Sequence, residues 1–183
     1  MIKKWFITTL VIAGSAFAKQ AIQDLDPQTP PAIGQAKAED ETIKVQSYDG
    51  RWIVRNFCII DKNGEIALQW DDKASGHVYI WISWSPDSQR VVLVDQHRGP
   101  ELFAAQLVNG RWVDVADTRI PLQWGKGPSG PSRVDNLELL NWISPTSLRI
   151  KDSFLIDDPN HQHHWEDIVE SLQFNGNVLR FVD

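Results

Sequence analysis

From Thr42 onward the chain is a succession of short apolar runs rich in Val, Ile and Trp, each broken within about 8 to 12 residues by Gly, Pro, Asn or Asp. Runs this short cannot complete an amphipathic helix, so they find a buried face only as strands, and the pattern predicts an all-β fold. The expected strands are Ile43 to Ser47, Arg51 to Ile60, Glu65 to Trp70, Val78 to Trp84, Arg90 to Asp95, Leu102 to Val108, Trp112 to Val115, Leu137 to Ile143, Leu148 to Lys151, Phe154 to Ile156 and Val178 to Val182. Trp165, Ile168, Val169 and Leu172 carry helical spacing, yet Glu166 to Phe174 also alternates, so that segment fits either state. With 42% hydrophobic and 23% charged residues, the composition is that of an ordinary globular domain, which excludes disorder throughout and a multi-span membrane protein.

An internal repeat runs through these strands. Ser85-Pro86-Asp87-Ser88-Gln89-Arg90-Val91 aligns with Ser144-Pro145-Thr146-Ser147-Leu148-Arg149-Ile150, and more loosely with Ser47-Tyr48-Asp49-Gly50-Arg51-Trp52-Ile53. Trp84 and Trp142 precede the first two copies. Each unit then reaches an Asn-Gly pair, at Asn63-Gly64, Asn109-Gly110 and Asn175-Gly176, which suits the two positive-φ positions of a type I′ hairpin. The Ser-to-Asn separations are 16, 24 and 31, so the units share ends and differ in loops. Such a unit is a small antiparallel meander.

The run Trp84 to Val94 resembles the S-P-D-G type repeat of periplasmic β-propellers of the TolB and WD40-like class. The likeness covers about seven residues per unit, with Tyr48 in place of Pro and Thr146 in place of Asp in the other copies. It implies propeller-like meanders. About three such units fit in this chain, whereas propellers typically close with four to eight blades. The expected architecture is therefore one all-β domain, Thr42 to Asp183, whose antiparallel meanders pack as a sandwich or an incomplete propeller, unless chains assemble into something larger.

Ahead of that domain, Lys3 and Lys4 precede the uncharged, mostly apolar Trp5 to Phe17, and Ala16-Phe17-Ala18 has the form of an A-x-A cleavage site. Residues 1 to 18 are expected to be a secretory signal peptide, too short for a stable membrane anchor, which places the mature chain in the periplasm or outside the cell. Lys19 to Glu41, with Pro27, Pro30 and Pro31 and no apolar period, reads as a flexible lead segment. Cleavage would take two Lys and no acid from a chain of net charge -6, leaving 165 residues at -8. That field disfavours nucleic acid and anionic lipid and favours a basic protein partner. Cys58, the only Cys, excludes an internal disulfide and sits in the apolar Phe57 to Ile60, where a buried, inert thiol is expected.

His161-Gln162-His163-His164, with Asp157, Asp158, Glu166 and Asp167, is the densest group of candidate metal ligands. It lacks the H-E-x-x-H spacing and paired Cys, so a solvated loop is expected and no metal or cofactor is assigned. Gly127-Pro128-Ser129-Gly130-Pro131 approaches a nucleophile elbow, but Pro131 replaces the closing Gly and no strand-turn-helix surrounds it. No catalytic residue is assigned.

Ser75-Gly76-His77-Val78-Tyr79 reads S-G-x-x-Y and Trp124-Gly125-Lys126-Gly127 reads W-x-K-G. Together they resemble the loop motifs of periplasmic lysozyme inhibitors. The resemblance implies that Ser75, Gly76 and Tyr79 approach the lysozyme cleft and that Lys126, beside Trp124, engages a catalytic carboxylate. Two departures stand: 45 positions separate Tyr79 from Trp124, more than in that family, and the family's usual disulfide cannot form. The reading adopted is an extracytoplasmic, non-enzymatic protein-binding domain, as an inhibitor or immunity-type factor against a cell-wall-active enzyme. Its competitors are a glycan or cell-wall binding module using exposed Trp, and a hydrolase or metalloprotein centred on His161 to His164.

Overall fold

The computed structural model describes residues 32–38, 43–70, 80–96, 100–115, 125–127, 130–132, 134–157 and 163–182. All regular structure among them is β. The first two strands, β1 (Ala32–Ile33) and β2 (Gln35–Ala38), precede three antiparallel meanders of four strands each. The first meander is β3 (Val45–Gln46), β4 (Trp52–Arg55), β5 (Cys58–Asp61) and β6 (Ile66–Gln69). The second is β7 (Ile80–Trp84), β8 (Arg90–Asp95), β9 (Glu101–Val108) and β10 (Arg111–Asp114). A two-stranded ribbon, β11 (Gly125–Gly127) and β12 (Gly130–Ser132), leads to the third: β13 (Val134–Ser144), β14 (Ser147–Asp157), β15 (His163–Asn175) and β16 (Val178–Val182).

The turns follow from local hydrogen bonding. In the first and second meanders the Ser47 and Ser85 hydroxyls donate to the Asp49 and Asp87 carboxylates at 2.7 and 2.6 Å and accept from the backbone N–H of Trp52 and Arg90. Each Asp also accepts from a backbone N–H two residues on, from Arg51 and Gln89, so the carboxylate replaces a strand partner through the bend. In the third meander Thr146 cannot take that role, and the turn tightens until Ser144 pairs directly with Ser147. The Asn-Gly pairs all lie between third and fourth strands, but only Asn109 and Gly110 both adopt positive φ, at 50° and 77°. At Asn175-Gly176 the Asn completes β15 and the loop is Gly176-Asn177.

The three sheets stack as layers. Between the first and second lie Val45, Val54, Ile59 and Trp70 against Ile82, Trp84, Leu93 and Trp112. Between the second and third lie Val92, Val94 and Ala104 against Leu139, Leu148, Ile150 and Leu172. The second sheet is thus covered on both faces, which is why Trp81 and Trp84, three apart on one strand, both find apolar packing. The sandwich expectation fits; among the described residues no sheet closes into a barrel or propeller.

Three details differ from the sequence reading. Arg51 to Ile60 is two strands, split where Asn56 and Phe57 take positive φ. The two expected strands at Leu148 and Phe154 are one, β14, and the ambiguous Glu166 to Phe174 lies within the strand β15. Residues 32–38, read as part of the lead segment, pair as β1 with β3 and as β2 with β7. Their pairing uses backbone groups, which leave no apolar period to read.

Candidate functional site

The two ends of the stack are built differently. One end carries the short turns, and neighbouring turns touch: the Asp49 N–H donates to Ser88 Oγ at 3.1 Å, and Arg90 Nη1 donates to the Pro145 carbonyl at 3.3 Å. The opposite end carries the strand termini from which the longer connections leave. Trp70 and Ile80 flank residues 71–79, Val115 precedes 116–124, and Asp157 and His163 flank 158–162. Side chains tie this end across the layers, since Trp70 Nε1 donates to Asp114 Oδ1 at 3.1 Å and Gln96 Nε2 donates to the Leu137 carbonyl at 2.7 Å.

Of the residues singled out by sequence, Ser75, Gly76, Tyr79 and Trp124 lie outside the described residues, as do Ser129, His161 and Gln162. Lys126 is the centre of β11, paired across the ribbon with Pro131. The stretch around Gly127 therefore enters a short hairpin, not a nucleophile elbow. His164 is exposed on β15, its Nε2 3.2 Å from Glu166 Oε1. Among the described residues no group of three His, Cys, Asp or Glu side chains could hold a metal ion. Cys58 is half-buried, and burial pushes its thiol pKa up against the opposing pull of Arg55, which keeps it a poor nucleophile at neutral pH.

Trp70, Trp84 and Trp112 are buried, and Trp52, Trp81 and Trp142 are partly buried. Trp165, at 59% exposure, is the one exposed indole among the described residues, so a sugar-stacking function there would have to use the outer face of the third sheet.

Sequence reasoning missed Asp152. It continues the row Leu148, Ile150 on the face of β14 that meets the second sheet, and it is buried at 4% exposure. Desolvation, with the nearby Glu170 charge adding to it, pushes its carboxyl up to about 7. The signal was a carboxylate in phase with an apolar alternation, two residues after Ile150. No protein-family model, curated protein or solved structure matches this chain.

Proposed function

We propose that this chain is an extracytoplasmic, non-enzymatic protein-binding domain, built on degenerate propeller-like repeats, that engages a basic protein through the end of the stack opposite the short turns. The observation that carries the reading is the division of the stack into two ends. A rigid layered scaffold delivers the termini of residues 71–79, 116–124 and 158–162 to one end, and binding residues concentrate on connections held by such scaffolds. Ser75, Gly76, Tyr79, Trp124 and Lys126 belong to or adjoin two of these segments, so their distance in sequence is no obstacle to a shared surface. The acidity of the chain supplies the second support, because a net charge of -6 accelerates encounter with a cationic partner such as a lysozyme.

The repeat reading rests on position. Ser47, Ser85 and Ser144 each open the turn between a first and a second strand, and in each unit the connection from third to fourth strand contains or adjoins an Asn-Gly pair. The test is a titration of the chain with a basic lysozyme at low and high salt, with an acidic protein of similar size as control. Saturable binding that weakens with salt is expected for the lysozyme alone; equal binding to both proteins, or to neither, contradicts the reading.

A further inference from the structure

The stack has a direction. Six residues beyond the turn Ser, Val91 faces the first sheet and Ile150 faces the second, so in both cases this position meets the preceding sheet. Seven residues beyond it, Val54 faces the second sheet and Val92 faces the third, so this position meets the following sheet. Each meander therefore has a backward and a forward face, used in the same sense at both junctions. Among the described residues two faces are left over: the backward face of the first sheet, where the equivalent residue is Ile53, and the forward face of the third, where it is Lys151.

Both leftover faces carry apolar side chains in water. On the first sheet, Ile33, Gln46, Ile53, Ile60 and Ile66 are successive cross-strand partners over all five strands, the last step crossing a bulge; Ile33 is 68% and Ile66 40% exposed at the two ends of the row, Gln46 and Ile53 are partly buried, and Ile60 is buried at 6%. On the third sheet, Trp165, Val169 and Val182 are 59%, 52% and 40% exposed. Alternation along β15 puts Trp165 and Val169 on the face away from Leu172, and Val182 joins them opposite Ser171. Part of the charge on that face is compensated: Lys151 Nζ lies 2.8 Å from Glu138 and 3.7 Å from Asp167, and Asp167 accepts from Ser153 Oγ at 2.7 Å, while Arg149 and Arg180 stay exposed.

We infer that the backward face of the first sheet docks on the forward face of the third sheet of a second copy, and reciprocally, closing two chains into a ring of six sheets. A second copy is the occupant because it alone presents a face of the missing sense at each end. Six sheets also fall within the four to eight at which blade-like meanders close. A two-fold pair satisfies both leftover faces with the same junction used twice. This rests on the sheets being equivalent repeat units and is independent of the partner at the other end of the strands.

The experiment is the solution mass of the full chain by light scattering and sedimentation over a concentration series, for the wild type, Ile66→Lys and Val169→Lys. Ile66→Thr and Val169→Thr serve as milder variants that keep β propensity, and circular dichroism verifies folding. The wild type is expected to form a two-chain species, and each Lys variant to weaken it at least about tenfold. An equimolar mixture of the two Lys variants should associate better than either alone, because one junction between them is undamaged. A wild type that stays monomeric to about 0.1 mM, sensitivity to variants on one face only, or growth into open-ended species would overturn the inference. A monomeric result would leave the equivalence of the sheets and the lysozyme titration unaffected.

Discussion

Trp142 Nε1 donates to Ser83 Oγ at 2.9 Å, linking the first strand of the third meander to the first strand of the second. The same device occurs one layer earlier, where Trp84 Nε1 donates to the Val45 carbonyl at 3.0 Å. Val45 and Ser83 each stand two residues before the turn Ser of their meander, so an indole from each sheet satisfies itself on the same position of the sheet before. The Ser83 hydroxyl then donates to Gln35 Oε1 at 3.2 Å, and Gln35 Nε2 reaches the Leu139 carbonyl at 3.0 Å. One residue of β2 thereby joins the first strands of the second and third sheets.

Ser83→Ala removes the acceptor of one partly buried group and the donor to another, so a loss of roughly 2 kcal/mol is expected in urea denaturation. Trp142→Phe should lose less when combined with Ser83→Ala than when made alone, and a double-mutant cycle reads that coupling. Additive losses would show that the Trp142 and Ser83 contact is not energetic.

Trp84 is fully buried and packs edge-on against Trp112, with ring centroids 5.5 Å apart. Trp84→Ala is expected to cost about 3 to 5 kcal/mol, the range for deleting a buried large aromatic. A loss below about 1 kcal/mol would place this ring at a relaxed site rather than in the packed junction.

Gly34 joins β1 to β2 with φ of 76°, and a Cβ there would run into the Tyr48 ring. Its carbonyl accepts from the Trp84 N–H at 2.8 Å, so the backbone cannot shift without breaking the link to β7. Gly34→Ala should lower the thermal midpoint by an amount equivalent to roughly 1 to 3 kcal/mol. An unchanged midpoint would show that residues 32–38 contribute little to stability.

The pH dependence follows from Asp152. Its carboxyl is near 3.8 unfolded and pushed up to about 7 when folded, so the folded state holds the proton more tightly between those values. Stability should therefore be fully present below about pH 4, fall as pH rises toward 7, and level off above. Asp152→Asn should flatten this slope and stabilise the protein at pH 8 by up to about 4 kcal/mol, with little effect at pH 4. Denaturant midpoints from pH 4 to 8 for both proteins check it.

Much of the architecture is legible in the residues. The near-continuous apolar runs Ile80 to Trp84 and Val91 to Val94 mark a sheet buried on both faces, and the Ser, Pro, Asp and Gly signals mark its turns. The split at Asn56-Phe57 was hidden because Phe57, at φ 55°, is a bulky residue in a conformation that turn chemistry assigns to Gly or Asn. β15 was ambiguous because it carries apolar residues on both faces, Leu172 inward and Trp165 and Val169 outward, which blurs the period of two. For the candidate site, short strings such as S-G-x-x-Y name residues without fixing where their segment leaves the scaffold. That placement depends on strand pairing over long separations.

The most direct measurement of the functional account compares Lys126→Glu with Lys62→Glu in lysozyme binding by calorimetry. Both substitutions make the chain more acidic by two charges, but Lys126 lies in the ribbon that follows residues 116–124, whereas Lys62 is exposed in a turn at the other end. A long-range field alone would strengthen binding of a basic protein slightly and equally in both. The account predicts that Lys126→Glu weakens binding at least about tenfold while Lys62→Glu does not. Equal affinities in the two variants, or a loss confined to Lys62→Glu, would contradict it.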